Sequence, residues 1–177
     1  MDVIGVSTGG ALAQHFAADH SDLLRRLVIH SSAHTLGEAG KQAQLEIGHL
    51  ARQGRVAQAW QAMIGFVLPG TGIWKLLSAP LAWAAARLLS LGGPVDLSDL
   101  VVTIEAENQH AFKNRLSEIS APTLVIAGVD DPFYSPSLFR ETATGIPHAR
   151  LVLYEKMRHP ATGKRFEREV LVFLKEE

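Results

Sequence analysis

A serine between two glycines, at the junction of a predicted strand and a predicted helix, constrains the fold more than any other feature. The segment Gly5-Val6-Ser7-Thr8-Gly9 follows the apolar residues Val3 and Ile4, which predict a short buried strand. Residues 9–18 are mostly small and predict a helix. A serine on so sharp a turn has strained backbone dihedrals and needs small neighbours, which Gly5 and Gly9 provide. The pattern predicts that Ser7 is an exposed nucleophile.

The backbone amide of Thr8 is a second candidate functional group. It lies at the N-terminus of the predicted helix, where unpaired N–H groups and the helix dipole favour negative charge. The turn directs this amide toward the space above the Ser7 hydroxyl. We therefore expect Thr8 to donate a hydrogen bond to a developing oxyanion.

Composition excludes several classes of function. The 177 residues are enough for one domain with a sizeable core, and the net charge of −1 argues against nucleic-acid binding. The absence of cysteine removes disulfides and thiolate metal sites, and no pair of histidines within a predicted helix has metal-ligand spacing. Residues 73–91 are apolar but contain Lys75, Pro80 and Arg87, so they predict a pair of helices rather than a membrane span. We expect a cytoplasmic protein with no cofactor and no metal.

The order of predicted elements divides the chain into three blocks. Residues 1–35 predict strand, helix and strand, and residues 118–177 resume this alternation, which is typical of a parallel sheet with helical crossovers. Residues 36–117 contain no strand-like run, and their apolar spacing between Val56 and Val67 predicts an amphipathic helix. The sequence thus predicts an α/β core formed by 1–35 and 118–177, with 36–117 inserted as a helical cap.

Three motifs together resemble the α/β-hydrolase superfamily, in particular its serine esterases and lipases. They are Gly5-Val6-Ser7-Thr8-Gly9-Gly10, the segment Ala121-Pro122-Thr123-Leu124-Val125-Ile126-Ala127-Gly128-Val129-Asp130-Asp131-Pro132, and Met157-Arg158-His159-Pro160. The resemblance covers nearly the whole chain and corresponds to the family from its nucleophile strand onward. It implies about four parallel strands with flanking helices, half of the family's sheet.

The resemblance also implies a catalytic triad of Ser7, Asp131 and His159, in the family's chain order of serine, acid and histidine. Asp130 is adjacent to Asp131 and remains an alternative acid. Arg158 departs from the small residue that more often precedes the family's histidine. Of the other seven histidines, His30 and His34 follow the second predicted strand and are candidates to line the pocket.

The acyl pocket is expected to include His30, Trp60, Met63 and Phe133. Trp60 and Met63 have helical spacing, so an ordinary place in the core of the cap is an alternative for both. The expected function is hydrolysis of a carboxylic ester or a related small acyl substrate by a Ser-His-Asp triad. A lactone or C–C bond hydrolase of the same fold, and a non-catalytic partner-binding module, are the alternatives.

Family members place about four further strands, and a loop with a second oxyanion donor, before the nucleophile. The sequence before Ser7 does not contain them. We therefore expect the first strand to have an apolar, unpaired edge that can pair with a second copy or a complementing chain. One oxyanion donor fewer typically lowers the rate about 10²- to 10³-fold. This pattern is consistent with a fragment, with a late-start gene product, with a protein completed by a partner, and with a truncated remnant that binds without turnover.

Overall fold

The computed structural model describes residues 1–68, 73–90 and 96–176. Its strands are β1 (Asp2–Val6), β2 (Arg26–His30), β3 (Thr123–Gly128) and β4 (Ala149–Tyr154). Its helices are α1 (Thr8–Asp19), α2 (Glu38–Arg52), α3 (Val56–Val67), α4 (Trp74–Ser90), α5 (Ser98–Gln109), α6 (Pro136–Gly145) and α7 (Lys164–Lys175). Short 3-10 turns cover Ser21–Leu23 and Lys113–Glu118.

The strands form one parallel sheet in the order β1-β2-β3-β4. This confirms the predicted α/β fold with about four parallel strands and flanking helices. Because parallel strands end at the same edge of a sheet, the residues that follow β1, β3 and β4 gather there. Within the described part of the chain β1 has a neighbour only in β2, and Ile4 and Val6 are 49% and 42% exposed.

The two central strands have apolar side chains on both faces of the sheet. Leu27 and Ile29 of β2 pack in a cluster with residues of α1 and α6. Val28, between them in the sequence, points to the other face and packs in a cluster with Val170 and Phe173 of α7. Because both faces are covered, every residue of β2 and β3 is buried, and apolar residues follow one another in the middle of each strand rather than alternating with polar ones.

The chain forms two compact units, a sheet unit of Met1–Gly37 with His110–Glu177 and a helical unit of Glu38–Gln109. The sequence placed residues 110–117 with the helical block. In the structure they belong to the sheet unit, because Phe112 and Leu116 are buried in the cluster formed with α1 and β2.

The helical unit has its own small core, which includes Ile47, Ala59 and Ile104. The predicted pair of helices over residues 73–91 is wrong, since α4 runs without interruption from Trp74 to Ser90 with Pro80 inside it. Proline removes one backbone hydrogen bond, but the alanine- and leucine-rich sequence around Pro80 favours helix strongly enough to continue through it. Among residues 1–68, 73–90 and 96–176, no helix is long and apolar enough to cross a bilayer.

Candidate active site

Ser7 occupies a strained position between β1 and α1. Its φ is 51° and its ψ is −122°, a conformation that residues with a side chain rarely adopt. The turn is held from both sides, since the Ser7 amide donates to the His30 carbonyl oxygen at 3.0 Å and the Gly10 amide donates to the Ser7 carbonyl oxygen at 2.8 Å. The fold therefore holds the Ser7 side chain at the edge where the strands end.

Two of the three glycines around Ser7 are required by close approach. A Cβ on Gly5 would lie 2.3 Å from the Gly9 carbonyl oxygen, and one on Gly10 would lie 2.4 Å from the Ser32 Cβ. The expectation that Gly9 must also be small is wrong, because a Cβ there would meet no atom within 4 Å. Close packing of α1 against β1 and the residues after β2 thus depends on Gly5 and Gly10.

His159 lies between Ser7 and Asp131 and is hydrogen-bonded to both. Its Nδ1 is 2.7 Å from the Asp131 Oδ2, and its Nε2 is 2.9 Å from the Ser7 Oγ. The Asp131 side chain is fully buried, whereas Asp130 is exposed and its side chain does not take part in these contacts. The structure thus brings Ser7, Asp131 and His159 together in one hydrogen-bonded chain.

The Asp131 carboxylate is also held by the backbone. Its Oδ1 accepts hydrogen bonds from the amides of Phe133 at 2.9 Å and Tyr134 at 3.2 Å. This leaves Oδ2 for His159, so the imidazole must carry its proton on Nδ1 and present the lone pair of Nε2 to the serine hydroxyl. Asp131 therefore fixes both the orientation and the tautomer of the ring.

The loop that carries His159 packs tightly against the end of β3. A Cβ on Gly128 would lie 2.1 Å from the Met157 carbonyl oxygen, and the Asp130 amide donates to that same oxygen at 3.0 Å. Only glycine at the end of the strand allows this approach. The ring of Phe133, predicted to line a pocket, has its centroid 4.8 Å from that of His159.

Thr8 is the first residue of α1, so its amide has no acceptor within the helix.

Trp60 and Met63 lie on α3 in the helical unit, where Met63 packs against the core of that unit. Their place in an acyl pocket stays a prediction. Within the described ranges, no group of three or more histidine, aspartate or glutamate residues is arranged to hold a metal ion.

His30 and His34 both lie in the interior of the sheet unit. His30 is 5% exposed, and its Nε2 is 2.7 Å from the Ala161 carbonyl oxygen. His34 is bonded through Nδ1 to the Thr142 hydroxyl at 3.1 Å. Burial lowers the pKa of both imidazoles below the ordinary histidine value. Sequence reasoning missed Ser31, whose hydroxyl accepts from the Ala161 amide, because no local pattern marks a contact between residues so distant in the chain.

The comparisons agree with this fold. The profile of the alpha/beta hydrolase fold family matches residues 1–162. The chain therefore belongs to the α/β-hydrolase fold family.

Its relatives include a polyketide synthase and a depolymerase. The chain is 30% identical over 185 residues to polyketide synthase ThaQ of Burkholderia thailandensis, and this alignment covers 98% of this chain and 8% of the synthase. It is 32% identical over 154 residues to the poly(3-hydroxyalkanoate) depolymerase of Ectopseudomonas oleovorans, covering 85% of this chain and 52% of the depolymerase.

Among solved structures, the chain is similar to MGS-M2, an alpha/beta hydrolase enzyme from a Medee basin deep-sea metagenome library. The TM-score is 0.84 at 20% identity, and the match covers 99% of this chain and 65% of MGS-M2. At this identity the likeness shows the shared fold. The chain thus spans between 8% and 65% of the length of these three proteins.

Proposed function

We propose that this chain is a serine hydrolase that cleaves a carboxylic ester or a related acyl compound. The observation that carries the proposal is the unbroken series of hydrogen bonds from the Asp131 carboxylate through His159 to the Ser7 hydroxyl. A serine hydroxyl is a weak nucleophile until a base accepts its proton, and this arrangement supplies an oriented base. Membership of a hydrolase family supports the same reading.

The first half of the reaction forms an acyl-enzyme. The Ser7 Oγ attacks the acyl carbon while its proton moves to Nε2 of His159, and the buried Asp131 carboxylate stabilises the resulting imidazolium. The carbonyl oxygen becomes an oxyanion, to which the Thr8 amide at the start of α1 donates a hydrogen bond. Collapse of the tetrahedral intermediate breaks the ester C–O bond, and the alcohol leaves with the proton from Nε2.

The second half returns the enzyme to its starting state. A water molecule gives a proton to Nε2 of His159 and attacks the acyl carbon on Ser7. The new tetrahedral intermediate releases the carboxylic acid, and Ser7 recovers its proton from His159. Every proton transfer in both halves thus passes through Nε2 of His159.

The substrate class follows from this chemistry and from one relative. A Ser-His-Asp chain favours acyl transfer, and the depolymerase relative is named for poly(3-hydroxyalkanoate), whose hydroxyacid units are joined by ester bonds. Contribution of His30, Trp60, Met63 and Phe133 to an acyl pocket is part of the proposal, as is the role of residues 36–117 as a cap. The cytoplasmic location and association through β1 stay predictions.

The test is hydrolysis of p-nitrophenyl acetate and butyrate by the purified chain, alongside a simple lactone and a C–C hydrolase substrate. We expect ester hydrolysis that Ser7→Ala abolishes and that His159→Gln lowers to a similar level. Equal hydrolysis by Ser7→Ala would contradict the assignment of the nucleophile. A folded chain that hydrolyses none of these compounds would favour the non-catalytic alternative, and turnover of the lactone or C–C substrate alone would redefine the reaction.

A further inference from the structure

Two adjacent residues at the end of β2 lie between the serine turn and the histidine loop. His30 is the last residue of β2 and Ser31 follows it, and both are at least nine-tenths buried. The backbone of Ser31 has a φ of 47°, a left-handed conformation that is uncommon for a residue with a Cβ. Strain of this kind persists only where surrounding contacts determine it, and Ser31 is held by hydrogen bonds of its amide to Ile126 and of its hydroxyl to Ala161.

The histidine loop is held through one residue, Ala161. The His30 Nε2 lies 2.7 Å from the Ala161 carbonyl oxygen, and the Ala161 amide donates to the Ser31 Oγ at 3.1 Å. Because a carbonyl can only accept, Nε2 of His30 carries the proton and donates it. Both polar backbone groups of Ala161, which is fully buried, are therefore satisfied by the side chains of two consecutive residues. Ala161 is only two positions beyond His159.

The same two residues hold the nucleophile turn and the sheet. The Ser7 amide donates to the His30 carbonyl oxygen at 3.0 Å, and the Ser31 amide donates to the Ile126 carbonyl oxygen of β3 at 2.8 Å. The ring of Phe166, at the start of α7, stacks on the His30 imidazole with centroids 4.3 Å apart. The short segment His30-Ser31 thus holds the Ser7 turn on one side and Ala161 on the other.

We propose that His30 and Ser31 are positioning residues that set the distance between the Ser7 hydroxyl and the His159 imidazole. They do so by holding Ala161 through its carbonyl and its amide while the backbone of His30 holds Ser7. The imidazole of His30 is occupied by Ala161 and Phe166, so its part in the reaction is structural alignment and not proton transfer. This inference rests on the proposed function in one respect, namely that Ser7 and His159 react together.

The kinetic test compares variants that remove one hydrogen bond at a time. His30→Phe keeps a flat ring against Phe166 but removes the donor to Ala161, and Ser31→Ala removes the acceptor while keeping the Cβ. We expect each to lower kcat about 10- to 100-fold, because misplacing a catalytic group by about 1 Å costs rates of this order. In Ser31→Ala, KM should change by less than about threefold, since the lost hydrogen bond to Ala161 does not involve substrate. His30→Gln, whose amide can reach Ala161, should recover most of kcat.

A matched control is Thr142→Val, which removes a buried hydroxyl of the same unit, one bonded to His34 rather than to Ala161. It should lower the melting temperature without lowering kcat. If Thr142→Val lowers kcat as much as His30→Phe, the effect is general loss of stability and the positioning role is wrong. If His30→Phe and Ser31→Ala keep the kcat of the unchanged chain, it is also wrong.

A spectroscopic measurement decides the inference even if the chain shows no turnover. The His159 Nδ1 proton, hydrogen-bonded to Asp131, should give a far-downfield proton resonance in the unchanged chain. In Ser31→Ala we expect this resonance to shift or broaden and the Ala161 amide to lose its protection from hydrogen exchange. If the unchanged chain hydrolyses no ester but Ser31→Ala shows these spectral changes, the proposed function is refuted and the positioning role is upheld. An unchanged His159 resonance in both His30→Phe and Ser31→Ala would refute the positioning role alone.

Discussion

Replacing Asp131 with asparagine changes one atom of a buried carboxylate, and the structure predicts how the site responds. The Oδ1 position can still accept from the amides of Phe133 and Tyr134, so the turn keeps its shape. The amide nitrogen then takes the place of Oδ2, opposite His159 Nδ1. Two donors cannot face each other, so the imidazole must move its proton to Nε2, where it points at Ser7.

The expected loss of activity is large because the wrong tautomer cannot accept the serine proton. Replacing the triad aspartate of a serine protease with asparagine lowers kcat about 10⁴-fold, and we expect about 10³- to 10⁴-fold here. This corresponds to about 4 to 5.5 kcal/mol of transition-state stabilisation. The folded state should lose at most about 2 kcal/mol, because the hydrogen bonds to the two amides remain.

The assay is the second-order rate of ester hydrolysis, measured with the melting temperature of each variant. The matched control is Asp130→Asn, since Asp130 is exposed in the same turn and does not contact His159. Surface substitutions typically change free energies by less than about 0.5 kcal/mol, so this control should stay within about twofold of the unchanged chain. Asp131→Asn within tenfold of the unchanged rate, or an equal loss in Asp130→Asn, would refute the reasoning.

Three further predictions concern stability and association. Gly5→Ala should destabilise the chain by about 1 to 3 kcal/mol, because the new Cβ clashes with backbone. Gly9→Ala places its Cβ in open space and should be neutral or stabilising by up to about 1 kcal/mol. Thermal melting separates the two variants, and equal losses of stability would contradict the packing argument. Burial lowers the pKa of His110 to about 4, so its contribution to stability is complete above about pH 6.5 and is lost as the pH falls toward 4. Urea denaturation at pH 7 and pH 5 measures this loss in the free energy of unfolding. After allowance for partial exposure of the ring, we expect the loss to be about 1 to 2 kcal/mol larger in the unchanged chain than in His110→Asn. An equal loss in both would show that His110 is not its source. Ile4→Lys should reduce self-association through β1, measured by sedimentation, and association that survives this change must use another surface.

The sequence predicts most of the sheet because its signals there are local. Thr123–Gly128 is a run of apolar and β-branched residues between Pro122 and a terminal glycine, and it forms β3 with those limits. Ser135-Pro136 is likewise a local signal for the start of a helix, and α6 begins there, where the Ser135 hydroxyl accepts from the Leu138 amide at 3.4 Å. The residues predicted as triad also lie at ends of predicted strands, where the parallel topology brings them to one edge.

The rest depends on contacts that no local pattern encodes. The separation of Ser31 and Ala161 by 130 positions leaves nothing in the sequence to indicate their hydrogen bond. The continuity of α4 through Pro80 depends on the balance between one lost hydrogen bond and the helix propensity of its neighbours. The open space at Gly9 is likewise a property of tertiary packing, which the spacing of glycines in the motif does not reveal.

The most direct test of the account is covalent labelling of Ser7. An alkyl fluorophosphonate reacts with a serine whose proton a neighbouring histidine accepts, and it reports the nucleophile without requiring the natural substrate. Intact-mass spectrometry of the purified chain should show one adduct, and peptide mapping should locate it on Ser7. Ser7→Ala should give no adduct, and His159→Gln should slow labelling strongly. A folded chain that is not labelled, or that is labelled equally after Ser7→Ala, would contradict the central claim.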